Sequence, residues 1–382
     1  VKDIRKGSKK LADALNGENR IIISTVQKFA YALDYLKHEK SKKYAIIVDE
    51  AHSAVGNEAA KDLVSALSTK EDLEKIEDYD PEEYDSPLDA LMAQMQSYRK
   101  MMKHISYFAF TATPKDKTYV LYGKDGKEAH DLYSMKQAID EKFILDVTRN
   151  YVSYKTMFEL IEKDPTEDRK KQFEEKKALK VIAAWLGKEK YIKLRKASMI
   201  VDQFMKFTIK KIDHRAKAMV VCDSRQSAAD YKQIIDRIIK DEYGGAIKTL
   251  VAFSNEVTDS NGRKCTEANM NDGGVTDNDI AEKFKEDDYK ILIVAEKFQT
   301  GFDQKLLHTM FVDRSLGGIQ CIQTLSRLNR TYWPYKEDTL VVDFRNDADS
   351  VRKAFNKYYT ETTLTGDVDK QRVYTLKEDV DR

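Results

Sequence analysis

Three short segments carry residue types that could do phosphate chemistry. Val48-Asp49-Glu50-Ala51-His52 places two adjacent carboxylates and an imidazole directly after an apolar run. Hydrolysis of a nucleoside triphosphate needs a magnesium ion across the phosphate oxygens and a base that orients water. Adjacent carboxylates can divide those jobs: Asp49 for the magnesium, directly or through its water shell, and Glu50 for the water. His52 lies close enough to sense the γ-phosphate. The plainer alternative is an Asp-Glu pair starting a helix. Thr111-Ala112-Thr113-Pro114 offers two hydroxyls that could link a phosphate site to a nucleic-acid track, or an ordinary turn punctuated by proline. In Gln323-Thr324-Leu325-Ser326-Arg327-Leu328-Asn329-Arg330, a helix would put Arg327 and Arg330 on one face. Two guanidinium groups there could stabilise charge on a γ-phosphate, or simply form an exposed basic helix.

The elements that must position these groups read as buried strands. Ile21-Ile22-Ile23 runs into Ser24-Thr25, Tyr44-Ala45-Ile46-Ile47-Val48 into Asp49-Glu50, and Tyr107-Phe108-Ala109-Phe110 into Thr111. A second series follows. Ala218 to Cys222 leads into Asp223-Ser224-Arg225, and Thr249 to Phe253 into Ser254. Ile291 to Val294 leads towards Thr300-Gly301-Phe302-Asp303, Thr309 to Val312 into Asp313, and Thr339 to Val342 into Asp343. These runs are uniformly apolar rather than alternating, as in a parallel sheet covered on both faces. Their polar ends are where ligands sit on such sheets. The pattern predicts an α/β protein with two parallel sheets. The expected division is a first lobe over 1–150, a charged helical connector over 151–212, a second lobe over 213–346, and the start of a C-terminal helical region over 347–382. Asn255 to Asp279, rich in Asn, Asp and Gly, predicts a mobile loop. Glu71 to Asp85 reads as a solvated acidic insertion.

Composition sets outer limits. The 382 residues suggest two or three domains, and 41% apolar residues suffice for their cores. Lys and Arg (66) nearly balance Asp and Glu (65), so no global basic field advertises a polyanion, and any nucleic-acid contact must come from local patches. Cys222, Cys265 and Cys321 form no CxxC pair, which suggests neither a zinc site nor a disulfide framework. The apolar runs are far short of the ~20 residues of a membrane span. A cytoplasmic protein without a membrane partner is expected. The opening at Val1 reads as the inside of a domain, hence as a fragment.

The order and strand-end placement of these segments resemble superfamily 2 helicases and translocases. Asp49-Glu50-Ala51-His52 is similar to motif II, Thr111-Ala112-Thr113 to motif III, Thr300-Gly301-Phe302-Asp303 to motif V, and Gln323 to Arg330 to motif VI. Ile23 to Lys28 resembles motif Ib and Val220 to Arg225 motif IV. Four segments narrow the likeness to the motor (R) subunit of type I restriction endonucleases: Ser326 to Thr331, Leu132 to Ile139, Phe143-Ile144-Leu145-Asp146-Val147, and Val342-Asp343-Phe344-Arg345-Asn346. The resemblance implies two RecA-like lobes, the first incomplete, joined by helical segments, with ATP and Mg2+ between them. It implies a double-stranded DNA pump working with methyltransferase and specificity subunits. Carried over, Asp49, Glu50, His52, Arg327 and Arg330 are catalytic, and Asp49, Gly301, Asp303 and Gln323 bind the nucleotide and its ion. Thr111 and Thr113 couple the sites, while Thr25, Gln27, Ser224, Arg225 and Thr300 touch the DNA backbone, contacts that read no sequence.

One family feature is missing. No Gly-x-x-x-x-Gly-Lys-Ser/Thr phosphate loop occurs, and Gly123-Lys124-Asp125-Gly126-Lys127 has the wrong spacing with no hydroxyl after it. The expectation is that this loop and a nuclease domain lie upstream of Val1, and that the segment alone does not turn over ATP. Another superfamily 2 motor, or a non-catalytic DNA- or partner-binding module, are the alternative readings.

Overall fold

In the computed structural model the described residues are 2–3, 8–25, 28, 43–51, 105–114, 118–119, 122–124, 128–153, 188–298 and 302–356. The chain divides into two compact units, Val1–Leu132 and Tyr133–Arg382. The acidic stretch from Glu71 to Asp85 and most of the predicted connector lie outside the described residues.

The first unit contains β1 (Lys2–Asp3), α1 (Ser8–Asn16), β2 (Ile22–Ile23), β3 (Tyr44–Val48) and β4 (Ile105–Ala109). Helix α1 buries Leu11, Ala12, Ala14 and Leu15, one face at helical spacing. β1 pairs with β2 and β3 with β4, both parallel, the second in register from Tyr44↔Ile105 to Val48↔Ala109. Some sixty residues separate β3 from β4 in sequence, so this pairing is a crossover of the kind parallel strands require.

The second unit begins with α2 (Met135–Asp140), capped by the Ser134 side chain, and β5 (Tyr151–Ser153). It continues through α3 (Lys188–Lys206), β6 (Lys217–Cys222), α4 (Arg225–Tyr243), β7 (Lys248–Ala252), β8 (Val257–Thr258), β9 (Lys264–Cys265), α5 (Asn278–Lys283), β10 (Tyr289–Val294), β11 (Leu307–Asp313), α6 (Gly318–Leu325), β12 (Leu340–Asp343) and α7 (Ala348–Asn356). Six strands form one sheet in the order β5-β12-β11-β6-β10-β7, and every pair is parallel.

Alternate strand residues serve opposite faces. Val220, Val251, Ile291, Ile293, Phe311 and Val342 pack with Ala197, Ile200, Val201 and Phe204 of α3 and with Tyr231 and Ile235 of α4. Met219, Val221, Leu250, Leu292, Met310 and Val341 pack with Cys321, Ile322 and Leu325 of α6 and with Val351 and Phe355 of α7. Both faces are covered, which is why the strands read as unbroken apolar runs. Each fully buried aliphatic side chain here contributes about 2 kcal/mol of transfer free energy.

Three expectations change. The first boundary falls at Leu132/Tyr133 rather than near 150, because 133–153 bond to the second sheet: β5 pairs with β12, and Leu145 N donates to Asn329 O at 2.7 Å. Helix α3, placed in the connector, instead lies in the second unit's core. Asn255 to Asp279 is not a free loop but covers the edge strand β7. Asn271 accepts from Val251 N (2.8 Å) and donates to Val251 O (2.9 Å), as a neighbouring strand would. Glu267 accepts from Phe253 N at 2.8 Å and from Lys297 at 2.9 Å. Asp259 and Asp230 brace the β8–β9 hairpin through Asn261, Arg263 and Ser260. An open edge would otherwise offer unpaired N–H and C=O groups to other chains.

The carboxyl ends of the central strands are tied together. Asp313 takes donors from Lys196 (2.6 Å), Tyr231 (2.7 Å) and Arg345 (3.0 Å). Burial works against its charge, yet Lys196, Tyr231 and Arg345 hold its carboxyl below the usual carboxylate range. Arg345 also reaches Asp223 at 2.7 Å. Asp343 accepts from Tyr151 OH at 2.7 Å and from the backbone N–H groups of Arg345 and Asn346 at 2.8 Å.

Asn271→Ala should cost about 2–4 kcal/mol, since two buried backbone groups lose their partner; urea unfolding of the purified protein measures it. For Asp313, the folded pKa lies below the unfolded one. The stability it supplies is therefore complete above about pH 4 and lost as pH falls through the folded pKa. Asp313→Asn should lower stability by about 3 kcal/mol at pH 7, with the gap to wild type closing in melts run at progressively lower pH.

Candidate functional site

In the first unit the chemistry sits where β3 and β4 end side by side. Phe110 N donates to Val48 O (2.9 Å), and Phe110 O accepts from Ala51 N (3.0 Å). An unbroken parallel ladder would return to residue 50, so one extra residue is accommodated and the Asp49-Glu50 backbone is displaced from the ladder. Glu50 has φ +49°, in the left-handed region that non-glycine residues rarely adopt. The Asp49 carboxylate accepts from Glu50 N at 2.9 Å and supports that turn. Asp49 is exposed and Glu50 half-buried, with Ala51 fully buried beneath them. On the neighbouring strand, Thr111 Oγ1 accepts from Thr113 N at 3.2 Å, and Thr113 is buried. The structure thus brings residues 49–51 and 110–113 together across one strand pair. His52 lies outside the described residues.

In the second unit, Arg327 and Arg330 do not share a helical face. Helix α6 ends at Leu325 and buries Cys321, Ile322, Thr324 and Leu325. Beyond it the chain tightens: Arg327 N bonds Thr324 O, Leu328 N bonds Leu325 O and Asn329 N bonds Ser326 O. The arginines project from this turn toward residues 302–303. Arg327 Nη1 donates to Phe302 O at 3.2 Å, and Arg330 Nε lies 3.3 Å from Asp303 Oδ1. The Arg330–Asp303 pair is exposed and contributes little stability. Gln323 lies half-buried on α6. Gln304 accepts from Leu306 N at 3.2 Å and so shapes the approach to β11. Ile144 bridges to Arg330, placing the Phe143-Ile144-Leu145 segment against the arginine turn. Thr300 and Gly301 lie outside the described residues.

The residues expected on DNA are placed as follows. Ser224 is the N-cap of α4, its oxygen accepting from Ser227 N at 3.1 Å. Arg225 Nη1 donates to Ser254 O at 3.0 Å, joining the loops after β6 and β7. Thr25 is exposed just past β2, and Gln27 lies outside the described residues. Gly123 is held by packing: a Cβ there would stand 2.5 Å from Tyr119 O and 2.6 Å from Glu128 O. That contact accounts for the glycine without any phosphate.

Sequence reasoning missed two participants. Arg345 links the ends of β6 and β11 through Asp223 and Asp313; its segment had stood out only by resemblance. Lys336 donates to Leu328 O (2.7 Å) and Arg330 O (2.8 Å) from a buried position. A lysine among aromatic residues gave no signal of this.

Magnesium is held by one or two carboxylates together with phosphate oxygens. Asp49 and Glu50 supply hard oxygen donors of that kind, and among the described residues no group of three His, Cys, Asp or Glu could hold a metal by itself. The donor set fits an ion that arrives with a nucleotide. Among the described residues no helix is long and apolar enough to cross a membrane.

Two family models match the chain: SWI2/SNF2 ATPase over residues 2–181 and type I restriction enzyme subunit R domain 3 over residues 252–346. A Methanocaldococcus jannaschii protein named as the endonuclease subunit of the type I restriction enzyme MjaVIIP is 28% identical over 273 residues, 62% of this chain and 25% of that one. A second from the same organism, named for MjaIXP, is 28% identical over 294 residues, 70% of this chain and 25% of that one. The chain thus spans about a quarter of the length of these curated relatives. A solved structure of the ATP-dependent Type ISP restriction-modification enzyme LlaBIII bound to DNA aligns with 91% of this chain and 22% of its own, at 12% identity and a TM-score of 0.48. The chain thus resembles SWI2/SNF2 ATPases over residues 2–181 and the R subunit of type I restriction enzymes over residues 252–346.

Proposed function

We propose that this chain is the ATP-driven double-stranded DNA translocase motor of a type I restriction-modification enzyme. The observation that supports it best is the strand-end pairing of residues 49–51 with 110–113, joined through Phe110 to Val48 and Ala51. It puts a carboxylate pair and two hydroxyls where a phosphate-driven change at one strand end passes directly to its neighbour.

In this reading Glu50 takes a proton from the attacking water, and Asp49 anchors the ion. Mg2+ held there would supply charge neutralisation at the phosphate oxygens. Water oxygen bonds to the γ-phosphorus, the bond to the ADP oxygen breaks, and inorganic phosphate leaves. Arg327 and Arg330 stabilise charge developing on the γ-phosphoryl group, work that positioned guanidinium groups do well because their donors are fixed and bidentate. The backbone contact of Arg327 to Phe302 and the ion pair of Arg330 to Asp303 link those arginines to the motif V segment. Thr25, Ser224, Arg225 and Thr300 are the proposed contacts to DNA phosphates. Methyltransferase and specificity subunits are the proposed partners, since the duplex tracking described here carries no base readout of its own.

In the full-length subunit, Glu50→Gln should stop steady-state ATP hydrolysis while fluorescent-nucleotide binding persists; undiminished turnover would remove the role assigned to Glu50. Arg330→Ala should lower kcat by about a hundredfold or more and leave the melting temperature within a few degrees of wild type. A large loss of melting temperature with normal activity per folded molecule would contradict it.

A further inference from the structure

The turn that carries the two arginines is held from behind by a buried charge. Past Arg330 the chain doubles back: Tyr332 pairs with Lys336 in an antiparallel bridge, and the N–H groups of Tyr335 and Lys336 both donate to Tyr332 O, at 2.8 and 2.9 Å. Arg215 pins this small hairpin to the start of β6. Its guanidinium donates to Tyr332 OH at 3.1 Å and lies 5.3 and 4.6 Å from the ring centres of Tyr332 and Tyr335. The hairpin returns Lys336 beneath the arginine turn, where its side chain is 3% exposed. Nζ donates to Leu328 O at 2.7 Å and to Arg330 O at 2.8 Å.

We propose that Lys336 is a positioning residue for the arginine pair: its buried ammonium clamps the carbonyls of Leu328 and Arg330 and so fixes the backbone from which Arg327 and Arg330 project. The inference rests on the reading of those arginines as γ-phosphate groups. A neutral amide could satisfy one carbonyl but has no three-fold donor head, and an apolar residue would leave both unmet. The charge also answers to the arginine it supports. Burial pushes the Lys336 amine down to about 7; Asp338 opposes that shift, Arg330 reinforces it and Asp303 opposes it. His308 and Lys211, each bonded to Asp338 at 3.0 Å, are further titratable groups facing this cluster. Lys336, Arg330 and Asp303 therefore form one electrostatic set. Drawing Arg330 toward an anionic phosphate tightens the proton on Lys336, and a protonated Lys336 firms the turn under Arg330.

A double-mutant cycle in the full-length subunit, read as DNA-stimulated ATP hydrolysis, tests this. Lys336→Met should lower kcat by about tenfold or more while the KM for ATP moves less than about threefold. In the Arg330→Ala background the same change should cost less than it does in wild type, because one of the two arginines it positions is already gone. Full multiplicative losses in the double variant, or wild-type kcat in Lys336→Met, would overturn the proposal. Normal hydrolysis by Arg330→Ala would instead sink the reading on which it rests, so the two failures are distinct. Should Lys336→Met not fold, the pH profile carries the test. Wild-type kcat/KM, which reports the nucleotide-free protein, should fall as pH rises through about 7, and Lys336→Arg, which stays charged, should lose that limb. An identical limb in both proteins would remove Lys336 from the account.

Discussion

When neighbouring strands all run in the same direction, their carboxyl ends must fall along one edge. The strand-end carboxylates and hydroxyls of this protein follow from that constraint. In the second unit six parallel strands deliver Asp223, Asp313 and Asp343 to the edge of one sheet. In the first, the parallel pairing of β3 and β4 delivers Asp49-Glu50 beside Thr111 and Thr113. The hydrophobic runs do not choose this chemistry. They place polar residues where backbone pairing stops and side chains can begin to act.

The same local pattern, an apolar strand ending in aspartate, has two fates. Asp313 and Asp343 are buried and saturated by donors from tyrosine, lysine, arginine and backbone N–H groups. Such carboxylates hold a fold together, since removing one partner leaves a buried charge uncompensated. Asp49 lies exposed, bonded locally to Glu50 N, on a turn that strains Glu50 into the left-handed region. Strain persists where surrounding structure enforces it, and here the Phe110 bonds to Val48 and Ala51 do so. The ladder thus separates an exposed carboxylate from two buried carboxylates that hold the architecture.

The strands, the parallel α/β class and the segments that meet at strand ends were legible in the residues. In the second unit burial on two faces leaves an unbroken apolar signature; in the first unit the expected burial is not met, with Ile47 71% and Phe108 50% exposed. What was not legible depends on partners far away in sequence. Leu328, buried, continues the apolar spacing of α6 past Leu325, so nothing local marked the end of the helix before the arginines. Asn271 looks like a loop residue until its amide meets Val251, and Glu267 until its carboxylate meets Phe253 N. The boundary at Leu132/Tyr133 depends on β5 finding β12, a pairing of residues nearly two hundred positions apart. Lys336 became visible only when the hairpin placed it under Leu328 and Arg330.

The most direct test of the account is triplex displacement by the full-length protein, assembled with the proposed methyltransferase and specificity subunits. A motor that tracks along intact duplex should strip a third strand from unnicked DNA at a rate that depends on ATP and on the distance between entry site and triplex. Separation of a forked duplex without triplex displacement, or displacement that proceeds equally well without ATP, would contradict it.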